Sequence, residues 1–440
     1  MTEWVEHAIW WQIYPLGFVG AYPATPPIEV PEAGPHRLRH LVDWFDHAIS
    51  LGASGVALGP IFASQTHGYD TTDHLRLDPR LGDDADFDHL IVEARRRGLH
   101  VLLDGVFNHV GTGFRHYLNA RDDADSARWF RGEHGRFATF EGHAGLIALN
   151  HTNPDVADYV VDVMSHWLDR GASGWRLDAA YAVAPEFWAA VLPRVRERHP
   201  NAWFVGEFIH GDYAEAVAQA GVDSVTQYEL WKAIWSSLND GNFFELDWAL
   251  MRHNKFLAHF SPHTFIGNHD VTRIASILNN PRHLGHALTI LLMAGGVPSI
   301  YAGDEFGFRG VKENRPGGDD AIRPAFGTPP LQTDAVGIQT WELHQELIGL
   351  RRRHPWLTRA TTKALVLDNR HYLYRVSRGA DELVVALNID DAPMVYPSLG
   401  GEDMRLLASS DGRTAGTHGA LQIEAHGWGI FESSAATGGH

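Results

Sequence analysis

Short apolar runs rich in Val and Ile alternate along the chain with longer segments of helical periodicity. Strands that alternate with helices in this way indicate βαβ units on a parallel sheet. Eight strands are predicted, which is the number that closes a parallel barrel with a helix after each strand. These strands are Ala8–Tyr14, Gly55–Leu58, His100–Val106, Gly174–Asp178, Trp203–Glu207, Ser224–Gln227, Thr264–Gly267 and Pro298–Tyr301.

The spacing of the helices and strands locates an insertion. Asp178 and Glu207 are 29 positions apart (207 minus 178), which is about one βα unit, but Asp104 and Asp178 are 74 apart (178 minus 104) across a single strand-to-strand step. The excess, roughly 45 residues, predicts a loop subdomain after the third strand, and loops this long are usually functional. The predicted helices are His36–Leu51, Asp86–Gly98, Pro154–Gly171, Pro185–His199, Asn242–His259, His286–Ala294 and Ile338–Arg353.

After Arg353 the pattern changes to short strand-like runs separated by turns, which predicts a small antiparallel β domain. These runs are Lys363–Leu367, His371–Val376, Glu382–Asn388, Met404–Leu407, Leu421–Glu424 and Gly427–Phe431. We therefore expect a (β/α)8 TIM barrel from residues 1–109 and 155–355, with an inserted subdomain at 110–154. A C-terminal β-sandwich domain at 356–432 and a disordered tail at 433–440 complete the predicted organisation.

Composition and charge exclude several classes of partner. The net charge of −18 argues against nucleic acid, because phosphate binding needs clustered Lys and Arg. Neither a basic amphipathic segment nor an apolar run long enough to span a bilayer is found, which argues against a membrane partner. The chain has no Cys, so no disulfide or thiolate metal site can form. The acidic start of the sequence does not resemble a signal peptide, and we expect a cytoplasmic location.

Four short segments place polar residues at the carboxyl ends of predicted strands. They are L-L-D-G-V-F-N-H with Asp104 and His109, G-W-R-L-D with Arg176 and Asp178, F-V-G-E-F-I-H with Glu207 and His210, and F-I-G-N-H-D with His269 and Asp270. One Asp after an apolar strand is more often a helix N-cap than a catalyst. Four such segments in barrel order indicate an active site, because barrels build active sites at this end.

The residue types in these segments suit the cleavage of a glycosidic bond. That reaction needs an acid to protonate the leaving oxygen and a carboxylate on the opposite face of the sugar. A Glu suits proton transfer because burial raises its pKa towards neutrality, which favours Glu207 as the acid. A nucleophilic Asp must stay ionised, and Arg176 lies two residues before Asp178 on the same face of one strand. His109 and His269 are short donors suited to sugar hydroxyls.

The four segments resemble the ordered sequence regions of the α-amylase family of glycoside hydrolases, and the resemblance runs from about Trp10 to Phe431. It implies net retention of configuration through a covalent glucosyl-enzyme. Under this resemblance Asp178 is the nucleophile, Glu207 is the acid/base and Asp270 is the transition-state stabiliser.

The resemblance also implies a set of substrate-binding residues. Arg176, His109 and His269 match the family's sugar-binding Arg and two His. The segment T-H-G-Y-D-T-T-D-H resembles the one whose Tyr, here Tyr69, stacks under the bound glucose and whose Asp, here Asp70, braces the Arg. D-D-A-I-R-P-A-F resembles a segment that offers a glucose clamp. The remaining substrate-binding residues are Asp104, His210, Asp319 and Arg323.

Within the family, G-W-R-L-D and G-E-x-x-H are most similar to the cyclomaltodextrinase, neopullulanase and maltogenic amylase group. This implies cleavage of α-1,4 bonds in short linear or cyclic malto-oligosaccharides, including cyclic maltosyl-maltose-type substrates. The sequence departs from the group at Ile147 and Ala148, which replace Pro and Lys, and at Tyr181 and Ala182, which replace Asn and Glu. The first barrel strand starts near Ala8, so we expect the group's N-terminal β domain to be missing.

No cofactor is predicted. Asn108 matches an Asn that binds structural calcium in many relatives, but no D-x-D-x-D-G loop accompanies it, so calcium is compatible with the sequence and not expected. No H-E-x-x-H or comparable pair predicts a catalytic metal, which disfavours a metal-dependent barrel hydrolase. An oligosaccharide is the expected partner, and the sequence allows a homodimer without specifying one.

Two alternatives remain open at this stage. A transglycosylase or isomerase, such as a trehalose synthase-like or glucosyl-transferring enzyme, would form the same covalent intermediate and keep the same three carboxylates. A non-catalytic carbohydrate-binding relative is disfavoured, because such proteins lose members of the triad and this chain has all three.

Overall fold

The computed structural model describes residues 3–22, 36–133, 136–396, 404–410, 416–417 and 420–433. The chain divides into two compact units. The first unit is made of Met1–Val5, Trp10–Thr226 and Glu313–Gln332, and the second of Glu6–Ile9, Gln227–Lys312 and Thr333–His440. This division runs through the predicted barrel, and the predicted domain boundaries stay a prediction.

The first unit contains six of the eight predicted strands, all parallel. In spatial order they are Ser224–Val225, Trp203–Gly206, Gly174–Leu177, His100–Gly105, Gly55–Leu58 and Trp10–Ile13. Every residue of the strand Gly174–Leu177 and of its neighbour Trp203–Gly206 is buried, as expected of a parallel sheet covered on both faces. The strand ends agree with the predicted ones to within two residues, and Gly55–Leu58 has the predicted bounds.

Helices follow these strands. In the first unit they are Pro15–Phe18, Leu38–Val42, Phe45–Leu51, Asp84–Arg96, Arg115–Asn119, Ala124–Ala127, Pro154–Asp169, Pro185–Arg198 and Tyr213–Ala220. The predicted helix His36–Leu51 is interrupted at Asp43 and Trp44, where Trp44 is fully buried and its indole N–H donates to the Gly327 carbonyl. The helix Tyr213–Ala220 was not predicted, although Asp212 caps it through two backbone N–H groups.

Between the third and fourth strands, two short antiparallel pairs form part of the insertion. One pair joins His109–Gly111 to Leu146–Ala148, and the other joins Gly132–Glu133 to Arg136–Phe137. An unpredicted hairpin, Phe62–Ser64 with Thr71–Leu77, precedes them in the chain. Both the hairpin and the insertion extend from the carboxyl ends of strands, which is the end where the predicted catalytic residues lie.

The second unit contains the last two parallel strands, His263–Phe265 and Val297–Tyr301, which pair in register from His263 opposite Val297. Six strands in one unit and two in the other give the predicted total of eight. The helices of the second unit are Tyr228–Asp240, Phe243–Leu257, Ile274–Ile277, Leu284–Met293 and Ala335–Arg353. The helix Tyr228–Asp240 was not predicted, although its cap Gln227 accepts from the Leu230 N–H.

The C-terminal part of the second unit is antiparallel, as predicted. Its larger sheet has the order Thr361–Leu367, His371–Arg378, Asp381–Asn388, Trp428–Ser433 and Met404–Ser409. A smaller sheet joins Met394–Tyr396, Ala420–Ile423 and Gly416–Thr417. Side chains of both sheets share one core that includes Leu373, Val384, Tyr396, Ile423 and Phe431. Ser433 ends a strand, and the rest of the predicted tail lies outside the described residues.

Among the described residues, no helix has the length and apolar character needed to cross a bilayer.

Candidate active site

Arg176 is the centre of a buried ionic cluster in the first unit. Parallel pairing places Arg176 opposite Asp104 on one side and opposite Val205 on the other. The Arg176 Nη1 lies 2.7 Å from both oxygens of Asp104 and 3.2 Å from Asp178 Oδ1, and its Nη2 lies 2.6 Å from Glu207 Oε1. Arg176 therefore contacts three carboxyl groups from three adjacent strands. Asp104 lies near the end of its strand, and Asp178 and Glu207 directly follow theirs.

The charge balance of this cluster fixes the protonation of Arg176. Burial by itself lowers the pKa of Arg176, but the carboxylates of Asp104 and Glu207 outweigh burial and raise that pKa well above its usual range. The guanidinium therefore stays charged. Three carboxyl groups contact one guanidinium, so an excess of negative charge remains even when Glu207 carries the proton of a general acid, and a site that stabilises a positively charged transition state requires such an excess.

The backbone after Asp178 positions the side chain of Glu207. The N–H of Ala179 donates to Glu207 Oε2 at 2.9 Å, while Arg176 binds the other oxygen. Ala179 has φ 45° and ψ 38°, the left-handed region that costs a residue with a side chain about 1–3 kcal/mol. This turn aims the amide at Glu207. Strain of this kind is concentrated at active sites.

Tyr69 binds Asp104 through its side chain, and His109 binds the backbone of Tyr69. The Tyr69 hydroxyl donates to Asp104 Oδ2 at 3.1 Å. The His109 Nε2 lies 3.1 Å from the Tyr69 carbonyl, and its Nδ1 lies 3.1 Å from the side-chain nitrogen of Asn108. Burial lowers the pKa of His109 to about 3, so the ring is neutral, with Nε2 donating and Nδ1 accepting. Both ring nitrogens thus have protein partners, and a sugar-binding role for His109 stays a prediction.

Arg323 and Asp319, which are predicted to clamp glucose, form an ion pair within the first unit, and their role as a clamp stays a prediction. Arg323 Nη2 lies 3.0 Å from Asp319 Oδ2, and the guanidinium carbon is 4.6 Å from the centre of the Tyr14 ring. The Tyr14 hydroxyl in turn donates to the His67 carbonyl at 2.7 Å. Arg323 is buried, whereas Asp319 is one-third exposed and is the accessible member of the pair. Tyr14 is the last residue of the predicted first strand, but it was not predicted to be part of the site.

Asp70 has contacts different from those expected of it. Its carboxylate accepts from the backbone N–H of Thr66 at 3.0 Å and from the Thr66 hydroxyl at 2.6 Å. The carboxylate that binds Arg176 at 2.7 Å through both oxygens is Asp104. Asp70 therefore fixes the turn that carries Tyr69. Asp70 was expected to brace the sugar-binding Arg176, but the residue that binds Arg176 in this way is Asp104.

His210 is exposed and lies in the loop that follows the strand Trp203–Gly206. Its ring packs edge to face on Tyr181, with centres 5.9 Å apart. Tyr181 also donates from its hydroxyl to Glu141 in the insertion. The sequence identified Tyr181 only as a departure from the group, and no signal in it indicated Glu141 as the partner.

In the second unit, His269 and Asp270 form a pair of their own. His269 Nε2 lies 2.9 Å from Asp270 Oδ2, and the Asp270 backbone N–H donates to Asn268 Oδ1 at 2.8 Å. Asn268 is held by its side-chain N–H₂ group, which donates to the Tyr228 hydroxyl. His269 is buried, but Asp270 is 30% exposed, so its carboxylate is accessible to a ligand. Asn268 was not predicted as part of the site.

Asn108, which matches a calcium-binding Asn of many relatives, is fully buried, and the expectation about calcium stays a prediction. The Asn108 Oδ1 is buried without a hydrogen-bond partner, as a ligand atom would be. Calcium takes six to eight oxygen ligands, however. Across the described part of the chain, the compact group of acidic and His side chains is His36, Asp83 and Asp86, and Arg39 already binds Asp86 there.

Comparison with known proteins identifies the class of this site. Barrel glycosidases have an eight-stranded parallel fold with carboxyl groups at the strand ends, and this chain has both features. Residues 12–143 and 125–366 match the family described as Alpha amylase, catalytic domain. The chain therefore belongs to the α-amylase family and is a glycoside hydrolase, which confirms the predicted family, the TIM barrel and the C-terminal β domain.

Individual relatives agree with this assignment. Neopullulanase 2 of Thermoactinomyces vulgaris is 29% identical over 420 residues, which are 88% of this chain and 70% of that protein. Intracellular maltogenic amylase of Bacillus subtilis (strain 168) is 29% identical over 416 residues, 87% of this chain and 68% of that protein. The solved structure of cyclic α-maltosyl-(1→6)-maltose hydrolase from Arthrobacter globiformis has a TM-score of 0.81 at 24% identity and covers 97% of this chain and 99% of its own.

Proposed function

We propose that the protein hydrolyses α-1,4-glucosidic bonds in short linear or cyclic malto-oligosaccharides with net retention of configuration. The observation that carries the proposal is the contact of Arg176 with both Asp178 and Glu207, which gives one site two carboxylates with different surroundings. Asp178 shares Arg176 with Asp104, and Glu207 is bound by Arg176 and by a backbone amide. Two carboxylates flanking one bond are what a retaining glycosidase uses.

In the proposed first step, Asp178 attacks the anomeric carbon. The bond between that carbon and the glycosidic oxygen breaks, an ester bond to Asp178 forms, and Glu207 gives its proton to the leaving oxygen. In the second step a water attacks the anomeric carbon, Glu207 takes the water proton, and the ester bond to Asp178 breaks. Arg176 keeps Asp178 ionised for the attack. Asp270 is assigned to support of the transition state on the strength of the family resemblance.

The substrate class is proposed from the relatives. Proteins named neopullulanase, cyclomaltodextrinase and maltogenic amylase match 87–88% of the chain in three of the most similar cases. Short and cyclic malto-oligosaccharides are therefore the substrates to test first, with cyclic maltosyl-maltose among them. We also propose a cytoplasmic location, in line with the intracellular maltogenic amylase, and leave a homodimer as the oligomeric state to test.

Product analysis tests this proposal. The protein is incubated with maltose, maltotriose, cyclodextrins, pullulan, isomaltose, trehalose and sucrose, and products are identified by chromatography with reducing ends counted. Hydrolysis predicts a net gain of reducing ends from maltotriose or a cyclodextrin, with the α-anomer released first in proton NMR. Transfer or isomer products without that gain would favour a transglycosylase or isomerase instead. The control is Asp178→Ala, which should fold and show no turnover on any of these substrates.

A further inference from the structure

The turn Phe140–Gly142 of the insertion is joined to the loop that follows the nucleophile. The Tyr181 hydroxyl donates to Glu141 Oε1 at 2.7 Å, across 40 positions of the chain. Glu141 is exposed and Tyr181 is half-buried, so the bond lies at the edge of the site. A hydrogen bond to a charged acceptor is stronger than a neutral one. Neither residue takes part in the two chemical steps proposed above.

Tyr181 is fixed beside the acid/base residue. Its backbone N–H donates to the Glu207 carbonyl at 3.2 Å, and the N–H of Ala179 donates to the Glu207 side chain at 2.9 Å. Burial, followed by the nearby charges of Glu141, Glu207 and Asp178, raises the pKa of Tyr181. The hydroxyl therefore keeps its proton and stays a donor. Tyr181 thus links the insertion to Glu207.

The other end of the turn rests on His109. The Phe140 ring stacks on the His109 ring, with centres 4.7 Å apart and planes 12° apart. Glu141 itself has φ 47° and ψ 29°, a left-handed conformation that costs a non-Gly residue about 1–3 kcal/mol. Such a conformation persists when surrounding contacts fix it. Two contacts on this turn are the stack of Phe140 on His109 and the hydrogen bond from Tyr181 to Glu141.

We propose that Tyr181 and Glu141 form a latch that holds the Phe140–Gly142 turn next to Glu207 and thereby limits the size of the leaving group and of the acceptor. The proposal rests on the proposed function, because the acid/base of a retaining glycosidase faces the leaving group and then the incoming water. With the latch closed, Glu141 is bonded to the Tyr181 hydroxyl while the Tyr181 backbone is bonded to the Glu207 carbonyl, which brings the turn to the leaving-group side of the site. Short substrates are then preferred over long chains, and Tyr181 is a specificity-determining positioning residue.

Opening the latch tests the proposal through substrate preference. The variants are Tyr181→Phe, Glu141→Ala and the double variant, and kcat and KM are measured on maltotriose and on a long amylose. Each single variant should reduce the preference for maltotriose roughly five- to tenfold, mainly through KM, as expected for one lost hydrogen bond to a charged group. The double variant should lose no more than either single one. Glu141→Gln keeps an acceptor oxygen but loses the charge, so it should retain more of the wild-type preference than Glu141→Ala does.

Tyr117→Phe is the matched control. It removes a hydroxyl from the same insertion, where the Tyr117 ring packs on Phe130 and Phe137, and it should leave the preference unchanged. Unchanged preference in both Tyr181→Phe and Glu141→Ala, or additive losses in the double variant, would overturn the latch.

A readout that does not need activity separates the latch from the proposed function. Amide hydrogen exchange over residues 138–148 should become faster in Tyr181→Phe and stay at the wild-type rate in Tyr117→Phe. Exchange that does not change in Tyr181→Phe would refute the latch even in an active enzyme. A wild-type protein that hydrolyses none of the α-glucosides would refute the proposed function, and faster exchange in Tyr181→Phe would still support the latch as a contact.

Discussion

Each of the two units buries an arginine, and the two arginines have opposite surroundings. Arg176 in the first unit is 7% exposed and faces carboxylates, whereas Arg351 in the second is 5% exposed and donates to backbone carbonyls. Burial lowers the pKa of Arg351 to about 9. At Arg176 the carboxylates outweigh the same burial and raise the pKa. Burial alone therefore does not distinguish a functional cation from a structural one.

The two arginines differ in the net charge that remains around each of them once its hydrogen bonds and ion pairs are formed. The carbonyls that bind Arg351, those of Leu292, Ala294 and Gly296, are neutral and belong to a chain segment that the arginine holds together. The carboxylates around Arg176 outnumber it and leave negative charge in a buried place, which is costly unless it is used. An excess of carboxylates over cations at strand ends is the better sign of a catalytic site.

The largest effect is expected from the replacement of Arg176. Arg176→Met should lower kcat/KM roughly 10³-fold or more, because the variant removes the cation that orients both proposed catalytic carboxylates. It should also destabilise the fold by about 3–5 kcal/mol, since buried carboxylates lose their partner. Steady-state kinetics and urea unfolding measure the two effects. A folded variant with kcat/KM within tenfold of wild type would contradict the role given to Arg176.

The matched change in the second unit should affect stability alone. Arg351→Met leaves three backbone carbonyls without their donor, and we expect the free energy of unfolding to fall by about 3 kcal/mol. The folded fraction should keep kcat within about twofold, because Arg351 belongs to no predicted catalytic segment. Urea titrations followed by kinetics at a temperature where the variant is folded would check both. A large loss of kcat in Arg351→Met would contradict the view that Arg351 is structural and Arg176 catalytic.

Buried histidines in both units should make the free energy of unfolding depend on pH, and this effect should be smaller than those of the two arginines. Burial lowers the pKa of His109 to about 3 and that of His286 to about 4, and an unfolded His titrates near 6.5. The unfolded chain binds more protons between these values. The free energy of unfolding therefore falls as pH decreases from 6.5 towards 4, by about 1–2 kcal/mol for each His between pH 7 and 5.

His109→Gln and His286→Gln should each flatten this pH dependence while lowering stability at neutral pH. Thermal unfolding at pH 7, 6 and 5 provides the measurement, with the exposed His143 replaced by Gln as the control. Variants with the same pH dependence as wild type would show that other groups carry the acid sensitivity.

The sequence predicted the parallel strands, with carboxyl groups at their ends, for a physical reason. The burial of the strand Trp203–Gly206 requires a continuous apolar run, and the charged Glu207 that follows this run is conspicuous in the sequence. The pairing of Arg176 with Asp104 also follows from adjacent parallel strands in register. The interruption at Asp43–Trp44 was missed, because it depends on a bond from Trp44 to Gly327, which lies 283 positions away.

Contacts between distant loops could not be predicted in this way. The bond between Tyr181 and Glu141 joins two loops that have no regular register, and the Thr66 contacts of Asp70 depend on a hairpin that the pattern did not reveal. The strained backbone at Ala179 carries no sequence signal either, since Ala is not a residue that favours left-handed conformations.

The central claim is that Asp178 is the nucleophile, and trapping the covalent intermediate tests it most directly. A Glu207→Ala variant, which should hydrolyse the intermediate slowly, is incubated with a fluorinated α-glucosyl fluoride, digested and sequenced by tandem mass spectrometry. We expect one added glycosyl group on the peptide that contains Asp178, located on that side chain. A label on Asp270 or Asp104 instead, or no label together with release of the inverted anomer by the wild-type enzyme, would contradict it.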